Sequence, residues 1–240
     1  MTREGVNPPF FGRVHVEAIL YIADVTPLEN EEYYALAYAA VTESRRLRTD
    51  RYLRAEDRFL SLGGELLLKK SLADAGLSLA DLQLSYGEKG KPKLAAPEQL
   101  HFNISHSGSK AICALGKREL GCDVEKIGKY HRKTAERFTP EELRFIEACP
   151  EGPERDRAFC RIWTMKESFM KAVGLGFSLP LAEFSVIPGG GAVPVRQHLN
   201  GGSYFVREYP VFPEYCISLC TQSDSEEVSL QTVTMEDLLK

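Results

Sequence analysis

The stretch Glu119 to Ile127, ELGCDVEKI, decides how the chain is divided. It reads as a strand, and it opens a second pass through an order of elements that has already run once. In the first pass VHVEAILYIAD predicts a strand from about Val14 to Asp24, followed by a charged, helix-prone tract from Glu29 to Leu72. That tract is expected to break near Thr49 and at Gly63-Gly64. LLLKKSLADAGL ends on Gly76 at a helix C-terminus. LQLSYGEKGKPKL then reads as strand, turn and strand, and LHFNISHSGSKAICALG as two strands around Ser107-Gly108. After Ile127 the order returns. Helices are predicted at HRKTAERF, at TPEELRFIEACP and at RDRAFCRIWTMKESFMKAVG, then strands at EFSVIP, YFVREYPVF and YCISLC. In the second helix Thr139 caps, Pro140 takes the first helical position and Glu142 completes a capping box. The polar tail TQSDSEEVSLQTVTMEDLLK predicts a loosely packed surface segment. The expected fold class is α+β, a pseudo-twofold pair of similar subdomains spanning 1–118 and 119–240.

The 240 residues can bury a sizeable core, and 43% hydrophobic with 27% charged residues describes an ordinary soluble globular chain. A net charge of −4 argues against a nucleic-acid partner. No apolar run is long enough to span a bilayer, and MTREGVNPPFFGRV lacks the apolar core of a signal peptide, so the expected location is cytoplasmic. The six cysteines are scattered, with no CxxC pair. They read as reduced thiols packed as small hydrophobes.

Four stretches carry side chains suited to chemistry. Asp123 and Glu125 are two apart, so on a strand both carboxylates leave the same face. Repulsion between them calls for a cation or a partner, and hard cations are held by such carboxylates together with substrate phosphates. In WTMKESFMKAVGLG, Glu167 and Lys171 lie one helical turn apart. They are either a surface ion pair or a pair aimed at a bound group. In NISHSG, Ser105, His106 and the turn amides are phosphate donors or simply a polar hairpin turn. ESRRLRTDRYLRAEDR places Arg45 and Arg48 as i,i+3 neighbours, a fork for a phosphate, and GEKGKPKL carries Lys91 in a flexible turn. Each motif alone has an ordinary structural reading.

Taken together and in this order, GKPKL, FNISHSG, GCDVEKI and FCRIWTMKESFMKAVGLGFSLPL resemble the 4'-phosphopantetheinyl transferases of the surfactin-synthetase-activating type over roughly residues 45 to 220. The combined GxDxE and WxxKESxxK pattern is far more specific than its parts. The resemblance implies transfer of the 4'-phosphopantetheine group from coenzyme A to a serine of an apo acyl or peptidyl carrier protein, with release of adenosine 3',5'-bisphosphate. It implies Mg2+ (or Mn2+) held by Asp123, Glu125 and Glu167, with Lys171 on the diphosphate.

Further expectations come with it. Arg45, Arg48 and His106 would clamp the 3'-phosphate on the N-terminal side, while Lys91 and Ser105 lie in other segments that contact coenzyme A. The carrier serine would lose its proton to Glu167 or to a metal-bound water near Glu142, with Glu142 assisting the base. The basic segment KIGKYHRKTAERF would meet an acidic carrier helix. Unlike the short, trimeric holo-carrier synthase type, one chain carries both subdomains, so a monomer is expected. Two other functions use the same residues: a Mg2+-dependent phosphohydrolase acting on a nucleotide diphosphate, and a non-catalytic carrier-binding or nucleotide-binding module.

Overall fold

The computed structural model describes residues 17–95, 100–199 and 202–240. Residues 14–16 of the predicted first strand lie outside them. Strand β1, Ala18–Asp24, reads AILYIAD, an almost unbroken apolar run. Such a run suits a strand covered on both faces, and its side chains do divide that way. Ile19, Tyr21 and Ala23 enter one core, and Ala18, Leu20 and Ile22 enter another. Helices α1 (Glu31–Ala40), α2 (Glu43–Thr49) and α3 (Ala55–Asp74) follow. The expected break at Thr49 is present, but the one at Gly63-Gly64 is not. Helix α3 passes straight through both glycines because they lie where the helix presses on its neighbours. A Cβ at Gly63 would overlap the Val25 side chain, and one at Gly64 would come within 3.0 Å of Ile104.

A small hairpin, β2 (Leu84–Tyr86) with β3 (Pro92–Leu94), precedes β4 (His101–Ser107) and β5 (Lys110–Gly116). The second pass begins with β6 (Gly121–Lys126). Helices α4 (Arg132–Ala135), α5 (Pro140–Glu147) and α6 (Pro153–Val173) come next, α5 with the predicted capping box. Short strands β7 (Phe184–Ser185), β8 (Ala192–Pro194) and β9 (Arg196–Gln197) lead to β10 (Phe205–Glu208) and β11 (Tyr215–Thr221).

The two main sheets run β12-β1-β5-β4 and β6-β11-β10-β8, where β12 is Val228–Val233. In each half the opening strand pairs antiparallel with the last strand of its pass, and a long helix, α3 or α6, packs near it. This is the expected pseudo-twofold α+β arrangement. Between the sheets, Leu20, Ile22, Ile112 and Ala114 meet Cys122, Val124, Ile217 and Leu219 in a shared apolar layer. The tail differs from expectation. Strand β12 crosses back and pairs in parallel with β1 from Ala18↔Val228 to Ala23↔Val233, and helix α7 (Met235–Leu238) follows it. Residues 228–238 therefore belong spatially to the first sheet. Val228 and Leu230 make this possible by packing against the shared layer. Among the described residues no helix is long and apolar enough to cross a membrane.

Candidate active site at the subdomain junction

The site forms where β4, the edge of the first sheet, runs beside β6, the edge of the second. Phe102 and Ile104 of β4 face the first core, so by strand alternation Asn103, Ser105 and Ser107 face β6. They meet it through side chains in place of a main-chain ladder. Asn103 Oδ1 accepts from Cys122 N at 2.9 Å, Ser105 Oγ from Val124 N at 3.4 Å, and Ser107 Oγ from Lys126 N at 3.1 Å. The two hydroxyls donate onward. Ser105 Oγ lies 2.7 Å from Asp123 Oδ1, and Ser107 Oγ lies 2.7 Å from Glu125 Oε2. On the far side of β6, Gly121 lets α6 come close. A Cβ there would run into the main chain at Ser168 and Ala172.

This close packing brings Glu167 and Lys171 of α6 to the carboxylates of β6. Lys171 Nζ bonds Asp123 Oδ1 at 2.6 Å and Ser105 Oγ at 2.8 Å. Burial works against its charge, but the Asp123 carboxylate outweighs that and holds the ammonium above the usual lysine range. Glu167 is pushed up to about 7, first by burial and then by the charge of Asp123, with Glu125 adding to it. Glu125 is also raised, by burial first, although hydrogen bonds from Ser107 and Trp163 oppose the shift. Asp123 Oδ2 and Glu167 Oε1 are buried without a hydrogen-bond partner. Orphaned carboxylate oxygens in a crowd of negative charge suit a bound cation. Among the described residues no three His, Cys, Asp or Glu side chains are already drawn together as a metal centre.

The remaining predicted residues divide. His106 points away from Ser105, is exposed, and is held below the ordinary histidine range by the protein packed around its ring and by the charges of Lys171, Arg45 and Arg48. Those three cations and His106 therefore share one region. Arg45 is fixed through Glu65 at 2.9 Å and Ser61, and Arg48 through Tyr52, which leaves other guanidinium N–H groups to meet an anion. Arg54, further along the same basic stretch, sits in an exposed contact with Glu56.

Three placements differ from expectation. Lys91 donates to the carbonyls of Leu120 and Ala172, at 3.1 and 2.7 Å, and so ties the β2–β3 hairpin to the start of β6 and the end of α6. Ser105 directs its hydrogen at Asp123, so it orients a carboxylate. Glu142 is 0% exposed and pairs at 2.9 Å with Lys166, also 0% exposed. It accepts from Thr139 and from Val186 N as well, while Lys166 donates to the carbonyls of Leu181 and Phe184. With no solvent access and every oxygen engaged, Glu142 anchors the core beneath α6 and is in no position to take up a substrate proton.

Reading the sequence missed Ser107, Asn103, Trp163 and Gly121. A signal for the first two was there, since polar residues at 103, 105 and 107 alternate with apolar ones at 102 and 104. Beside Glu125 lies a groove of about 250 Å³ lined by Lys126, Lys129, His131, Phe159 and Trp163. Its aromatic wall continues through stacked Trp163 and Phe177 to the surface, where Phe177 is 68% exposed.

Two paired α+β units meeting at carboxylates, a lysine and two arginines make a site suited to a phosphorylated substrate. Comparison with known proteins assigns the family. Residues 119–220 match the 4'-phosphopantetheinyl transferase superfamily, and residues 26–117 match the 4'-phosphopantetheinyl transferase N-terminal family. A 4'-phosphopantetheinyl transferase of Bacillus subtilis is 34% identical over 84% of this chain and 91% of its own length. The 4'-phosphopantetheinyl transferase Sfp of Bacillus subtilis strain 168 is 30% identical over 88% of this chain and 93% of its own. A mouse relative, L-aminoadipate-semialdehyde dehydrogenase-phosphopantetheinyl transferase, is 29% identical over 68% of this chain. The chain belongs to the 4'-phosphopantetheinyl transferase family, in its surfactin-synthetase-activating type, and is an enzyme that transfers phosphopantetheine from coenzyme A to carrier proteins.

Proposed function

We propose that Asp123, Glu125 and Glu167 hold Mg2+ during transfer of the phosphopantetheine arm to a carrier serine, with adenosine 3',5'-bisphosphate as the leaving product. The orphaned oxygens of Asp123 and Glu167 are the observation that carries this reading. When bound, the ion supplies charge neutralisation of the diphosphate. The chain does the rest by positioning and electrostatics, as phosphoryl transfer requires.

Lys171 has three donors, of which Asp123 and Ser105 take two. The third is left for a diphosphate oxygen, where it offsets charge as the bond to the nucleotide breaks. Arg45, Arg48 and His106 receive the 3'-phosphate. Glu167 is the carboxylate that we assign to accept the serine proton. The carrier serine enters by the groove beside Glu125, and the exposed cations Lys126, Lys129, Arg132 and Lys133 meet an acidic carrier helix.

One chain contributes β4, β6 and α6, so a monomer completes the site. Six free cysteines fit a reducing, cytoplasmic setting.

The test is a carrier mass-shift assay with coenzyme A and Mg2+ against several apo-carriers. The expected result is the mass gain of one phosphopantetheine, lost on chelation. Adenosine bisphosphate released without any carrier would assign a phosphohydrolase instead. Carrier binding with no mass gain would assign a binding module.

A further inference from the structure

The side-chain rungs between β4 and β6 differ in one respect. At all three positions a β4 side chain accepts an N–H of β6, but only the serine rungs pass a hydrogen on. The Asn103 rung ends at Cys122, whereas the other two end on carboxylates of the proposed metal set. Asp123 has a second holder, because Lys171 fixes the same Oδ1. Glu125 has no lysine. Its holder is the Ser107 hydroxyl at 2.7 Å, from the opposite subdomain. Rotation of Glu125 about its side-chain bonds is therefore limited by a residue outside its own sheet.

We infer that Ser107 is a positioning residue: by gripping Glu125 Oε2 across the subdomain junction, it presets that carboxylate for the divalent cation. The inference rests on the metal reading of Asp123, Glu125 and Glu167. Carboxylate ligands are commonly held by an outer hydrogen bond, and loss of such a bond weakens metal binding by about 10–100-fold. Ser107 also satisfies the Lys126 N–H, so a purely structural role is the rival explanation. A structural role would appear in thermal stability. A positioning role would appear in cation affinity.

The measurement is Mn2+ binding by electron paramagnetic resonance to the full chain with coenzyme A present, alongside thermal unfolding of each variant. Ser107→Ala is expected to weaken Mn2+ binding about tenfold or more, and Ser107→Thr, which keeps the hydroxyl, to restore most of it. Should Ser107→Ala fail to fold, Ser107→Cys keeps the volume with a poor donor and is expected to show the same loss. Wild-type affinity in a folded Ala or Cys variant overturns the inference while leaving the metal reading intact. So does a Thr variant as weak as Ala. Failure of the unaltered protein to bind Mn2+ removes the metal reading and this inference with it.

Discussion

Lys171 pairs with Asp123, 2.6 Å away on the neighbouring strand, and not with Glu167, one turn earlier on its own helix. The i,i+4 spacing thus brings two side chains to one site without joining them to each other. Asp123 is the common point, touched by Ser105 and Lys171 through one oxygen and left open at the other. Asp123→Asn preserves the shape and removes the charge. It is expected to lower transfer by two orders of magnitude or more, on the scale of lost electrostatic stabilisation, in a protein that still folds. A carrier mass shift at the wild-type rate would refute the assignment.

Glu142 and Glu167 should separate cleanly. Removing one partner of a buried ion pair typically costs about 3–5 kcal/mol, and Glu142 and Lys166 are both wholly buried. Glu142→Gln is therefore expected to lower the denaturant midpoint sharply while the surviving folded fraction still transfers. Glu167→Gln should keep the midpoint and lose transfer. The reverse pattern would return Glu142 to the reaction.

The raised carboxyl of Glu167 has a consequence for stability against pH. Its folded pKa of about 7 lies above the ordinary glutamate value of 4.5, so the folded protein holds a proton that the unfolded chain has released. Its contribution is full below about 4.5 and is lost as pH rises through about 7. Without divalent cation the unfolding free energy should fall across that window, by on the order of 2 kcal/mol after allowance for screening. Glu167→Gln should flatten the slope. A slope unchanged in Glu167→Gln would show that another group titrates.

His106 offers a test of the 3'-phosphate clamp that does not depend on the metal. Packing and the neighbouring cations hold its imidazole below the ordinary histidine range. A bound phosphate dianion should raise its pKa, visible by NMR titration. His106→Ala should raise KM for coenzyme A severalfold and leave KM for 3'-dephospho-coenzyme A almost unchanged. Equal effects on both substrates would place His106 elsewhere.

Gly121 should tolerate no side chain. A Cβ there meets main chain at Ser168 and Ala172, which cannot move aside as a flexible side chain can. Gly121→Ala is expected to cost about 1–3 kcal/mol or more, and to displace Glu167 and Lys171 from Asp123, so that residual transfer falls together with stability. Intact activity and melting temperature would show that the two elements are less closely fitted.

Much was determined by local pattern. The doubled order of strand, helices and strands, the Thr139 capping box and the helix end at Gly76 follow from periodicity and backbone preference, which neighbouring residues set by themselves. The pairing of Asp123 with Glu125 on one face follows from the two-residue repeat of a strand. Contacts across the fold lie beyond such patterns. Whether Glu142 or Glu167 stands at the reacting centre depends on which helix lies over β6, and Gly121 brings in α6. The crossing of β12 to β1 joins residues about two hundred positions apart, so its polar, tail-like composition gave no local sign. Lys171 chose Asp123 over Glu167 for the same reason: a helix sets spacing along its own face, but burial against β6 and β4 sets the strongest partner.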